Sequence, residues 1–168
     1  MDDIELRPAG HDDADAIADV YLASFHATYD FPLAHNDQQV REWIAEVLVP
    51  TQEVWVASAR DGSVVALMVL TADMLDQLYV APGWTGRGIG SRLVALAKAR
   101  RPGGFDLYTF QVNTGARRFY ERHDFAEVAR GDGSRNEEGQ PDVRYAWRPS
   151  AWARCRVAAR HGAREPDL

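Results

Sequence analysis

The chain has 168 residues, of which 46% are hydrophobic and 26% charged, and it carries a net charge of −6. That length fits one domain, or one domain with a tail, and is enough to bury a substantial core. The negative balance argues against a nucleic-acid or anionic-membrane partner, no apolar run approaches the roughly 20 residues that span a bilayer, and the lone Cys155 can form no internal disulfide.

The opening Met1-Asp2-Asp3-Ile4-Glu5 lacks the basic, apolar and cleavage regions of a signal peptide, and with the single cysteine it points to the cytoplasm. Ile4 to Pro8 alternates as a short strand. Asp12, Asp13 and Asp15 then place carboxylates at the start of a helix whose Ile17, Val20, Tyr21 and Phe25 share a core-facing side. A loop from Ala27 to Asn36 leads to a second predicted helix, Asp37 to Val49, which Pro50 is expected to close. Glu53–Ser58 and Val64–Leu70 read as strands, and Asp61-Gly62 between them signals a hairpin. A strand from Asp76 to Ala81, a helix from Gly88 to Arg100 and a strand from Phe105 to Gln111 follow. The chain then reads as a helix from Asn113 to His123 and strands at Phe125 to Arg130 and Val143 to Trp147. This order predicts a mixed α/β domain over residues 1–149. Residues 150–168 form a tail with room for a short helix.

Between the Asp76 strand and the next helix lie Gly86, Gly88 and Gly90. A helix start offers unpaired N–H groups and a positive dipole end, so alternating glycines there describe a cradle for an anion such as pyrophosphate. A P-loop would need lysine at the helix start, and none occurs between Gly83 and Lys98. A dinucleotide fingerprint would need a third glycine where Ser91 stands. Asp106 lies at a plausible distance for a ribose contact but begins its strand instead of ending it.

Thr85-Gly86-Arg87-Gly88-Ile89-Gly90 resembles the acyl-CoA-binding motif Q/R-x-x-G-x-G/A of the GCN5-related N-acetyltransferase (GNAT) family, with Thr85 in place of Gln or Arg. A second block, Asn113 to Phe125, resembles that family's N-x-x-A-x-x-F-Y-x-x-x-G-F, with Asp124 in place of a glycine that often adopts the left-handed conformation. The resemblance covers about Val54 to Trp147. It implies a mostly antiparallel mixed sheet flanked by helices, with two strands splayed around acetyl-CoA.

By the same resemblance, Leu78, Tyr79 and Val80 lie along the pantetheine arm. Thr85, Gly86, Arg87, Gly88, Ile89, Gly90 and Ser91 surround the pyrophosphate. Asn113 either bonds the pantetheine arm or caps its helix. Tyr120 stands where the family places a general acid beside the sulfur, or it packs in the core. Asp76 is a candidate base, with Glu137 and Glu138 as alternatives. His26, Tyr29 and Glu138 are candidates for the acceptor side. The implied activity is transfer of an acetyl group to a primary amine of a small molecule or peptide, by direct attack in a ternary complex. A catalytically silent acyl-CoA sensor is the alternative. The family allows a homodimer. The histidines show no metal-ligand spacing, and no metal is expected.

Overall fold

A computed structural model describes residues 3–150, so nearly all of the predicted tail lies outside the described residues. Strands β1 (Glu5–Pro8), β2 (Glu53–Ser58), β3 (Val64–Leu70) and β4 (Leu75–Val80) form an antiparallel sheet in that spatial order. A second antiparallel sheet, in the order β5-β7-β6, is built from β5 (Phe105–Phe110), β6 (Ala126–Gly131) and β7 (Asp142–Trp147). β3 is apolar without alternation because it is an interior strand covered on both faces. Gly62, at φ 85°, supplies the left-handed residue of the β2–β3 turn, as Asp-Gly predicts.

Helix α1 (Ala14–Thr28) buries Ile17, Val20, Tyr21 and Phe25, the four residues its periodicity selects. With α2 (Asp37–Trp43) it covers one face of the first sheet, packing Ile17, Val20 and Val40 against Val56, Leu67 and Val69. The opposite face receives α4 (Ile89–Arg100), whose Leu93, Val94 and Ala97 join Met68, Leu70, Phe105 and Tyr145 in one core. Helix α5 (Thr114–Arg122) follows β5. No helix among the described residues is long and apolar enough to cross a membrane.

The second helix departs from expectation at Pro50. Instead of one helix closed by that proline, α2 ends at Trp43, a wide π turn runs from Ile44 to Leu48, and a single turn, α3 (Val49–Thr51), contains Pro50. Proline lacks an N–H and its ring collides with the carbonyl four residues back. The turn ahead of it is widened, with the Val49 N–H donating to the Ile44 carbonyl, so the chain carries on helically through Pro50.

The two sheets meet at one point. β4 and β5 run parallel and touch at their beginnings, where Met74 bridges Asp106 and the Asp106 N–H donates to the Asp73 carbonyl at 3.0 Å. Past that bridge the strands are not paired with each other. Asp106 is 4% exposed and its carboxylate accepts from Arg144 and from Arg148, at 2.8 Å for the latter. Burial alone would raise its pKa, but the two guanidinium groups outweigh it and hold the carboxyl below its ordinary range. Asp106 therefore fixes the vertex of a V-shaped sheet.

Candidate active site

The gap between β4 and β5 opens into a cleft of about 1960 Å³. On the β4 side, the Ala81 N–H donates to the Val65 carbonyl of β3 at 2.8 Å. Alternation along the strand then turns the backbones of Tyr79 and Gln77 toward β3 and those of Leu78 and Val80 toward the gap. The Leu78 and Val80 side chains pack with the α4-side core, and the Tyr79 side chain packs with the α1-side core. Each residue thus combines a packing side chain with a backbone of defined direction.

Asp76 enters the cleft through a bulge. Val69 pairs with Gln77 and Leu70 with Leu75, which leaves Asp76 as an extra residue on β4. Its carboxyl is reachable by solvent, yet it is crowded by the cleft walls. That desolvation raises its pKa, and the neighbouring Gln77 amide offsets only part of the rise.

The glycine turn closes one end of the cleft. Gly86 and Gly88 have φ of 74° and 80°, and a Cβ on either would meet nothing within 4 Å. Gly88 is the N-cap of α4, so the helix start is bare of side chains on this side. Gly90 differs from the expectation that all three glycines shape the turn. It is helical, and a Cβ there would stand 3.3 Å from the Phe119 ring. Its role is to let α4 approach α5. Thr85, Gly86, Gly88, Ile89, Gly90 and Ser91 line the cleft, whereas Arg87 does not and stacks its guanidinium over the Trp84 ring at 4.6 Å.

Helix α5 brings Tyr120 and Asn113. Tyr120 is 8% exposed, lines the cleft, and is held by ring contacts with Phe119, Phe125 and Tyr145. Burial pushes its phenol well above the ordinary value, so it stays protonated at neutral pH. Asn113 is the N-cap of α5, with Oδ1 accepting from the Ala116 N–H at 3.0 Å and Nδ2 donating to the Tyr29 hydroxyl at 2.8 Å. That second bond ties the α1–α2 loop to the β5 side.

The far end of the cleft is aromatic and acidic. Tyr29 packs on Phe25, Phe31 and Phe110, and the Tyr21 and Tyr79 rings lie 4.7 Å apart. Tyr21 is pushed up to about 12, chiefly by burial, with the negative charges of Glu138, Asp76 and Glu137 adding to the rise. Glu138 lines the cleft, and Glu137 reaches His35 of the α1–α2 loop at 3.1 Å. His26 is placed elsewhere: it is exposed, 3.4 Å from Asp37, and is not among the lining residues. Tyr21 reads in the sequence only as a core position, because its helical spacing hides that it also lines the cleft. His123, inside the second motif, also acquires a partner the spacing could not reveal, the Ser91 hydroxyl at 3.0 Å. Among the described residues no group of three or more His, Cys, Asp or Glu is placed to hold a metal ion.

Residues 50–127, spanning β2 through the start of β6, match the acetyltransferase (GNAT) domain family. Over that stretch, a little under half of its length, the chain is similar to the GNAT acetyltransferases. Peptidyl-lysine N-acetyltransferase YjaB of Salmonella typhimurium is 29% identical over 129 residues, which cover 77% of this chain and 88% of that protein. The solution structure of apo YjaB from Escherichia coli has the same fold, with a TM-score of 0.72 at 24% identity, over 86% of this chain and 97% of that one. The structure of yncA from Salmonella typhimurium, solved with its cofactor acetyl-CoA, matches at a TM-score of 0.65 and 19% identity, over 89% and 99% of the two chains. The GNAT fold so matched is a mixed α/β architecture of antiparallel sheets flanked by helices, which is the arrangement built here around the V-shaped gap.

Proposed function

We propose that this protein transfers the acetyl group of acetyl-CoA to a primary amine of a small molecule or peptide, by direct attack within a ternary complex. The observation that carries the reading is the unpaired β4 edge beside the bare start of α4. A donor arm needs backbone partners along its length and N–H groups at its phosphates, and the gap offers both. Leu78 and Val80 would bond the arm through their main chains, and Gly86 to Ser91 would hold the pyrophosphate. The YjaB relatives are named for peptidyl-lysine, and a lysine side chain is an amine of the proposed class.

When bound, acetyl-CoA supplies an activated thioester whose carbonyl carbon forms a bond to nitrogen as the carbon–sulfur bond breaks. An ammonium must lose a proton before it can attack, and Asp76 in the cleft takes it up, directly or through water. Tyr120 gives its proton to the departing sulfur, the new amide nitrogen releases its second proton to solvent, and Tyr120 regains one from solvent. Passing that proton from a phenol raised above 10 to a thiolate of ordinary pKa about 8.5 is uphill by at least about 2 kcal/mol, so it must accompany the bond breaking. Glu137 and Glu138 would favour a cationic acceptor by charge. Calorimetry with acetyl-CoA and thiol-release assays against a panel of amines and lysine peptides test the reading. Tyr120→Phe is expected to retain donor binding and to lower kcat by about 100-fold or more. Full turnover of that variant, with chemistry limiting the rate, would refute the proton-donor role. Donor binding without turnover on any amine would favour a sensor instead.

A further inference from the structure

Ser91 and His123 are 32 residues apart in sequence, yet they meet beside the glycine turn with Ser91 Oγ 3.0 Å from His123 Nε2. Ser91 lines the cleft and His123 stands behind it. His123 is fixed from several directions, by its main chain as well as its ring. Its main-chain carbonyl accepts from Lys98 Nζ at 2.5 Å, its main-chain N–H donates to the Tyr120 carbonyl at 3.0 Å, and its ring lies 4.6 Å from the Phe119 ring. Phe119 is the same ring that Gly90 admits, so Gly90, Phe119, His123 and Ser91 form one packed unit at the start of α4.

A hydroxyl has one proton to give. If Nε2 bears no hydrogen, it draws the Ser91 proton to itself and the serine shows the cleft only lone pairs, which repel an anion. If Nε2 bears a hydrogen, it donates to Ser91 Oγ and the Ser91 proton is free for a phosphate oxygen. We propose that His123 is a positioning residue for the acyl donor, donating from Nε2 to Ser91 so that the serine hydroxyl points its own proton at the coenzyme A phosphates. The inference rests on the acyl-CoA reading above. Charged groups around the imidazole are Lys98 on α4, Arg122 on α5 and Asp124 just beyond it. Burial and then the two cations lower its pKa, with Asp124 opposing them, so the ring is neutral near pH 7 and a bound anion draws a proton onto it as the medium becomes acidic.

Coenzyme A titrated calorimetrically into the whole protein decides the matter. His123→Leu is expected to weaken binding about 5- to 10-fold, and His123→Gln, which still presents an N–H to Ser91, to stay within about twofold of wild type. Ser91→Ala should weaken binding as His123→Leu does, and the double variant should be no weaker than Ser91→Ala alone. The KM for the amine should not move in any of them. Near pH 6 the wild type should take up more protons on binding than His123→Gln does, a difference from which the ligand's own phosphate titration cancels. Wild-type affinity in His123→Leu, or additive losses in the double variant, would overturn the role. Should His123→Leu fail to fold, His123→Asn, polar but too short to reach Ser91, carries the same expected loss. A wild-type protein that binds no coenzyme A overturns the acyl-CoA reading itself. Binding that His123→Leu and His123→Asn leave intact overturns only this inference.

Discussion

Asp124 occupies the left-handed region, at φ 66°, and among the described residues it is the one non-glycine residue with a positive φ. It ends α5 at the position where the family motif carries glycine, and its short polar side chain tolerates a conformation that most L-residues resist. An alanine keeps the Cβ clash and loses the carboxylate, whereas a glycine removes the clash. Asp124→Gly is therefore expected to be more stable than Asp124→Ala by about 1 kcal/mol, read from chemical denaturation. Equal midpoints for the two would show that backbone strain is not what this site feels. The position was legible because a motif predicts the backbone there. The Ser91–His123 contact was not, because a hydrogen bond between residues of two helices leaves no periodic trace in either.

At the scale of elements, α4 and α5 are held together by the absence of a side chain at Gly90. Gly90→Leu would drive a branched side chain into Phe119 and displace α5, which carries Tyr120 and Asn113. The expected cost is about 1–3 kcal/mol, with loss of coenzyme A binding, measured by thermal melting and calorimetry on the same sample. A variant that bound normally would mean the helices can shift without moving the cleft wall. Periodicity exposed the core face of α1 and the β2–β3 hairpin because both depend on neighbours in sequence. It could not expose the π turn before Pro50, whose geometry depends on how the helix packs. Nor could it separate two duties of Tyr21, which is buried with the core and also lines the cleft.

The whole molecule is pinned near its vertex by ion-paired carboxylates, and this gives its stability an acid limb. Glu53 on β2 accepts from Trp55 Nε1 at 3.0 Å, from Arg100 at 2.7 Å and from Arg101 at 2.8 Å, while Arg101 also donates to the Thr71 carbonyl at 2.7 Å. Burial would raise this carboxyl, but the Trp55, Arg101 and Arg100 bonds outweigh it and hold it at about 2. A folded value below the unfolded one of about 4.3 means that the contribution is complete above that pH and is lost as the pH falls toward 2. Asp106, also depressed, acts with the same sign. Glu53→Gln is thus expected to lower Tm near neutral pH and to flatten its fall between pH 5 and pH 2.5, followed by circular dichroism; an unchanged slope would remove Glu53 from the account. The single bridge between Met74 and Asp106 has a mechanical consequence as well. Two half-sheets joined at one rung form an open pair of tongs, and whatever occupies the slot along Leu78 and Val80 serves as the missing strand between them. Cargo and crossbeam are then one object, so filling the slot should slow amide exchange across both jaws at once.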